Sequence, residues 1–356
     1  MFIKVAASKA VAVIKVMSAV LICTGAVFFS AACTQGARDG IGFCLKVLVP
    51  SLFPFMAVSS FLVNSGIADT MGRPLDKITR AVFGLGHSFA SVILLSLIGG
   101  YPIGAKMIAG LYKNKTADKV ECEKAAMFAV CAGPGFLVNF VGMSLYGSKK
   151  TGIILLVSQM LSVVIIGIFI RFLYGNKSDN RCDKTDSFKP MPLSNAVVQS
   201  AVDSSKGMFV ICAFVVLFSA FTGLLGEIVP SSDTKDCLLI LLEVCSAVSK
   251  LASQKPIELI AFATGFGGLC VHFQIFSSLR ELKINKLLFF CIRIIQGIIT
   301  AVLTHFGLIL FCGEQQVFST ATAKGAEIYG GTVISAIALL GTAICFLYSI
   351  KNCKQN

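Results

Sequence analysis

The sequence predicts an all-α polytopic membrane protein of about 7–9 transmembrane helices, with two glycine-broken, re-entrant segments and an internal duplication. Composition is the first observation behind that prediction. Of 356 residues, 56% are hydrophobic and only 14% are charged, and the mean hydropathy is +0.84. Soluble domains average ~25% charged residues, so no single globular core could absorb this apolar excess. Second, the apolar residues fall into stretches near the ~20 residues that cross ~30 Å of hydrocarbon. Third, two further apolar stretches, Ser88–Leu111 and Pro256–Leu279, carry glycine and polar residues where lipid should be.

Taken in order, the chain starts with Lys4, Lys9 and Lys15 and an apolar run, Val16–Ala32. The "SAAC" ending at Cys33 imitates a lipoprotein cleavage site, but Ser30 stands where such sites favour leucine. The run is also long enough to span, so residues 1–37 read as an uncleaved first helix. A first repeat, 38–174, contains Val49–Val63, Ala125–Tyr146 and Gly152–Tyr174. Residues 175–195 are polar and proline-flanked, and form a loop between halves. The second repeat, 196–311, contains Met208–Val229 and Leu287–Phe311, and 312–356 supply a C-terminal helix, Gly331–Ile350, with a tail.

Basic residues then choose a topology, because Lys and Arg gather in cytoplasmic loops. If Ser88–Leu111 enters and leaves on one side, the cytoplasmic face of residues 1–206 holds sixteen Lys and Arg against four outside. If the segment crosses instead, eight face twelve. Charge therefore favours a re-entrant hairpin, which a bilayer tolerates only where its backbone is buried in protein or borders a polar cavity. In the second half charge decides nothing: "CLLILLEVCSAVSKLA" (237–252) either stays outside the membrane or crosses as a short helix.

The duplication rests on pattern. "VPSLFPFMAVSSFLVNSG" (49–66) has a counterpart in "MFVICAFVVLFSAFTGLLG" (208–226), and "GGYPIGAKMIAGLYKNK" (99–115) in "GGLCVHFQIFSSLRELK" (267–283). Gly99 and Gly100 then fall on Gly267 and Gly268, and Lys106 on Gln274. Paired interrupted segments in two halves point to a transporter's binding site.

Several residues in these segments could carry chemistry. A lysine at mid-bilayer costs ~2.5–3.5 kcal/mol on insertion scales, so Lys106 either contacts a ligand at the hairpin tip or snorkels from a shallow hairpin. His272 and Gln274 could offer donors and acceptors to a polar solute, or satisfy helix ends. Gly133, Pro134 and Gly135 break a third helix ahead of Asn139, and a proline there frees a carbonyl. Arg293 and Gln296 lie one turn apart and either face the protein interior or, near a helix start, snorkel, the stronger reading for the arginine. Gln159, Glu227 and His305 stand isolated in the sequence and receive no role.

Other classes fare worse. A net charge of +13 follows from cytoplasmic loops, and no nucleic-acid motif accompanies it. Fourteen scattered cysteines without a CxxC pair read as small buried hydrophobes, giving neither a disulfide framework nor a metal site. "GGYPIGAKM" departs from a phosphate loop at Ala105 and Met107, and no catalytic motif appears. The expectation is no enzyme, no cofactor and no nucleic-acid partner, but a lipid bilayer and a small polar solute, nucleoside-like or ionic.

"VPSLFPFMAVSSFLV", "GGYPIGAK", "CAGPGFLVNFVG" and "GFGGLCVHFQ" together resemble the sporulation integral membrane protein family called YlbJ, within the nucleoside-recognition (Gate) domain group. The resemblance runs from about Arg38 to Phe311. It implies a duplicated gate-like helical domain and a cell-membrane role in endospore formation, with a second copy or sporulation membrane proteins as candidate partners. It also implies functional roles for Gly100, Tyr101, Pro102, Gly104 and Lys106, for Gly133 and Pro134, and for Gly265, Gly267, Gly268, His272 and Gln274. Family members often carry a polar run before the glycine–proline, where this chain has Val130, Cys131 and Ala132.

Overall fold

A computed structural model of the chain describes residues 15–312, apart from 18–19, 21–22, 87, 176–190 and 230–231. The expected helix Gly331–Ile350 and most of the 175–195 loop lie outside the described residues. Every described element is helical. Helix α1 (Ser30–Phe43) runs through a π-helical turn, Cys44–Leu48, into α2 (Val49–Asn64). Short helices α3 (Ile67–Gly72) and α4 (Asp76–Phe83) lead to α5 (Ser88–Gly99) and α6 (Tyr101–Lys113). Next come α7 (Lys119–Phe128), a π-helix over Gly135–Leu145, and α8 (Lys149–Tyr174). The second half comprises α9 (Leu193–Ile228), α10 (Ser232–Leu242), α11 (Val244–Leu251), α12 (Ile257–Phe266), α13 (Gly268–Ser278) and α14 (Lys286–Cys312).

Among the described residues, five helical stretches are long and apolar enough to cross a membrane: 30–64, 149–174, 193–228, 257–278 and 286–311. A sixth is added if the bent pair Ile67–Phe83 and Ser88–Gly99 counts as one span. Along α8, Ile153, Val157, Leu161, Ile165, Phe169 and Phe172 remain exposed at helical spacing, as a lipid-facing stripe requires. The opposite face buries Leu155, Ser158, Ser162, Ile166 and Ile170.

Two antiparallel pairs of long helices frame the molecule. Helix α9 lies along α1–α2: Asn64 meets Ser200, Ser60 meets Ser204, and Gly36 lies against Ser219. Helix α14 lies along α8, where Ser162 Oγ takes hydrogen bonds from Gln296 and Thr300, and Gly307 faces Ile154. Small and hydroxyl residues let such helices approach closely in a medium that gives no hydrophobic push.

Sequence expectation and structure part in three places. The interval around Arg38 and Lys46, two of the four basic residues counted as outside, is continuous helix from Ser30 to Asn64. Its glycines mark helix packing, not a turn: a Cβ on Gly36 would overlap the Ser219 carbonyl. Residues 237–252 become two helices meeting at a wholly buried Glu243. Arg293 does not snorkel. It is 1% exposed and, among the described residues, the largest fully buried side chain, and Gln296 beside it is 0% exposed.

Candidate functional site

Four interruptions of helix converge at the centre. The first lies between α5 and α6, where Gly100 takes φ +80°, a backbone region open to glycine at little steric cost. The second is the non-helical stretch 130–133 ahead of the π-helix. These two touch backbone to backbone: a Cβ on Gly133 would stand 3.0 Å from Ile98 O and 3.1 Å from Gly100 N. The third is Glu243, extended between α10 and α11. The fourth is Gly267–Gly268, at φ +85° and +70°, with Gly268 packed against the backbone of Ile240, Glu243 and Val244.

Polar side chains satisfy the groups these breaks release. Tyr101 Oη donates to Thr264 O at 2.5 Å, joining the first break to the helix before the fourth. Arg293 sits among three of them. Its Nη1 donates to Val130 O at 2.7 Å and Gln296 Oε1 at 2.6 Å, its Nε to Phe266 O at 3.3 Å, and its guanidinium stands 5.5 Å from the Tyr101 ring centre. Val130 and Phe266 lie just past or at helix C-termini, where carbonyls lack partners and the helix dipole is negative. A buried cation is thus balanced by helix ends instead of a carboxylate.

Between the breaks is a small cavity of ≈ 40 Å³. Gly99–Pro102, Gly133, Glu243–Cys245 and Gln274 border it, together with Leu48, Leu52 and Met56 of the first long helix and Ile211 and Val215 of α9. Glu243 is 0% exposed and accepts from the backbone N–H groups of Cys245 and Ser246 at 2.9 and 2.5 Å.

One turn further along α2 and α6 a second, open cavity of ≈ 840 Å³ begins. Ser60, Asn64, Asp69, Arg73, Lys106 and Asp203 are among its walls. Lys106 Nζ donates to Asp203 O at 3.2 Å, while the Asp203 carboxylate accepts from Gln199 at 2.9 Å and Asn64 at 3.4 Å. A volume within the range of ligand pockets, ~300–1,000 Å³, combined with fixed donors and acceptors, suits a polar solute. Met56, Ile103 and Gly207 separate the two spaces: Met56 borders the inner one, Ile103 the outer, and a Cβ on Gly207 would meet Met56 Cε at 2.7 Å and Lys106 Nζ at 2.8 Å.

The sequence-predicted residues divide. Gly99, Gly100, Tyr101, Pro102, Gly133 and Gln274 border the inner cavity. Lys106 borders the outer one, so it and Gln274 do not share a site. Pro134 leads into the π-helix, and Gly104 lies against Ala129 O as a packing contact. Gly265 serves the α12–α14 contact, close to Gly297. Gly267 and Gly268 form the fourth break. Asn139 is exposed, with no place at either cavity. His272 points away from Gln274: Nδ1 is 2.5 Å from Gly268 O, and the ring packs among Phe266, Phe289 and Phe290. His305, read as isolated, lies 2.8 Å from Glu258.

Sequence reasoning missed Glu243, Asp203 and Arg293 as site-building residues. A single acid in "LLILLEVCS" was the available signal for Glu243, because an ionisable residue in an apolar run defaults to function. Among the described residues no group of three or more His, Cys, Asp or Glu is placed to hold a metal ion.

Comparison with known proteins identifies the chain's relatives by sequence. The chain is 26% identical over 309 residues, covering 75% of this chain and 76% of the relative, to the sporulation integral membrane protein YlbJ of Bacillus subtilis (strain 168). No solved structure matches. The family model described as nucleoside recognition, Gate, matches residues 45–251. That match takes in α2, the first three breaks and the intervening helices, more than half of the chain, and the chain therefore belongs to the Gate family.

Proposed function

We propose that this protein carries a small polar solute across the membrane of an endospore-forming cell, without catalysing a chemical reaction. The observation that carries the reading is that three helix interruptions, at Gly100, Gly133 and Glu243, border one small cavity next to a polar vestibule, with the fourth, Gly267–Gly268, packed on the backbone of Glu243. Broken helices whose ends aim at a common point are how secondary transporters build a site inside a bilayer. The solute enters the vestibule, where Lys106, Asn64 and the Asp203 carboxylate supply charge and hydrogen bonds. The Met56 constriction holds it there until the barrier moves.

The order of elements supports an inverted duplication in a different register from the sequence alignment. Each half runs long helix, hairpin, broken helix, long helix: α2, α5–α6, α7 with its π-helix, and α8, against α9, α10–α11, α12–α13 and α14. Antiparallel packing of α2 on α9 and of α8 on α14 suits repeats of opposite orientation. Glu243 is then the counterpart of Gly100, and Gly267 that of Gly133.

The sporulation role is carried by the relative's name together with the family. One observation favours a second reading, a membrane scaffold that transports nothing: the inner cavity is small and the first two breaks touch. Uptake of a labelled panel of nucleosides and small ions into proteoliposomes separates the two. Saturable uptake is expected, with Lys106→Ala lowering it at least tenfold while the unfolding temperature is kept. Absence of uptake across the panel leaves the scaffold.

A further inference from the structure

We infer that Glu243 binds the monovalent cation, a proton or an alkali ion, whose movement drives the solute. The coupling role rests on the transport reading; the binding of a cation does not. Three observations lead there. The carboxylate is wholly buried, and among the described residues no hydrogen bond or ion pair joins it to a cation. An ionised carboxylate in an apolar interior is costly unless compensated. Two backbone N–H groups at the start of α11 compensate in part, yet a carboxylate offers about four lone-pair positions. Glu243 is itself the third break and is among the residues that border the inner cavity.

Size selects the ligand. A space of ≈ 40 Å³ admits a few waters or one dehydrated ion, since a single water needs ~10–15 Å³ on this measure. A nucleoside-sized solute does not fit, whereas the vestibule accommodates one. The two cavities therefore divide the labour, one for solute and one for ion, and the α6 hairpin borders both. Gln274 supplies a second polar side chain, with Nε2 turned to Cys270 Sγ at 3.4 Å. The other titratable groups around the carboxylate are Cys44 of the first π-helical turn, Cys245 of α11 and Cys270 of α13. Tyr101 borders the same cavity from α6. None of these four brings a positive charge, and the buried Arg293, whose guanidinium lies beside Gly267 and the Tyr101 ring, directs its hydrogen bonds to Val130 O, Phe266 O and Gln296.

Loading the site neutralises a buried charge at the meeting point of both hairpins. An empty, anionic site would resist the closure that carries solute across, and an occupied one would permit it. Ion and solute thereby become linked without touching.

The test uses the full chain in lipid nanodiscs without solute. A ligand that binds only the folded state raises the unfolding temperature with the logarithm of its concentration. The unfolding temperature is followed against Na⁺, against K⁺ and against falling pH, with choline holding ionic strength constant. Wild type is expected to respond to one of the three arms, and that arm names the cation. Glu243→Gln is expected to lose the response. Glu243→Asp, which keeps the charge and a good helix cap, is expected to retain it with a shifted midpoint. Should Glu243→Gln fail to fold, Gln274→Leu is expected to raise the half-saturating concentration at least tenfold. A wild type that answers to none of the three arms, or a Glu243→Gln or Gln274→Leu that answers as wild type does, overturns the inference. Uptake by a cation-insensitive wild type refutes the ion site and leaves transport standing. A cation response in a chain that takes up nothing refutes transport and leaves the ion site.

Discussion

Arg293 shows how single residues meet the demands of an oily interior. Its charge is not cancelled by an acid but spread over carbonyls that two helices release at their ends. Lys124, 2% exposed, also meets a helix end, donating to Gly175 O after α8 at 3.1 Å, with Glu121 close enough to feel its charge. Hydrogen bonds to charged groups contribute ~1.5–3 kcal/mol each, so Arg293→Ala should cost about 3 kcal/mol or more in unfolding free energy. Arg293→Lys should fall between, because one ammonium cannot reach both Val130 and Phe266. Equal stability of wild type and Arg293→Ala in thermal or denaturant unfolding would contradict this assignment. The sequence hid this role. Arginine near a helix start reads as snorkelling, and nothing in the local spacing reveals carbonyls freed 27 and 163 residues away.

Among elements, the breaks punctuated by glycine or proline were legible and those without were not. Gly100, Gly133–Pro134 and Gly267–Gly268 announce non-helical backbone, through positive φ or a missing N–H. The break at Glu243 carries neither residue, and glutamate is not among the preferred N-caps. Its segment therefore reads as an uninterrupted apolar run. In α1, by contrast, Gly36 and Gly40 lie inside continuous helix and serve close approach to α9. Two glycines of this one helix provide a test. Gly36→Ala would force a methyl into the Ser219 backbone, whereas Gly42 has nothing within 4 Å. Gly36→Ala should destabilise by ~1–3 kcal/mol, the usual cost of overpacking. Gly42→Ala should be neutral, or stabilise by up to ~1 kcal/mol through helix propensity. Equal unfolding temperatures for both variants would remove the packing argument.

At the scale of the whole molecule, the multi-pass helical membrane class could be argued from the sequence. Which break pairs with which could not. The repeat identities are too few to set a register, and only packing brings Gly100 to Gly133 and Gly268 to Glu243. The same packing predicts how passage is controlled. The atoms near a Cβ on Gly207 are the ends of flexible side chains, Met56 and Lys106, so Gly207→Val should fold yet narrow the link between the cavities. Uptake in proteoliposomes should drop at least tenfold with an unfolding temperature close to wild type. Unimpaired uptake would place the route elsewhere.

The unbroken helix from Ser30 to Asn64 has a consequence for voltage. From Asp39, where Gln35 pairs at 2.8 Å, to Asn64 it climbs about 37 Å at 1.5 Å per residue, a little more than the oil. Leu48, Leu52 and Met56, which border the inner cavity together with Glu243, straddle the midpoint of that climb. An elementary charge crossing the full membrane potential exchanges ~2.3 kcal/mol per 100 mV. A cation at the site proposed beside Glu243 would exchange a share of that set by its depth, which would make its occupancy electrically tunable.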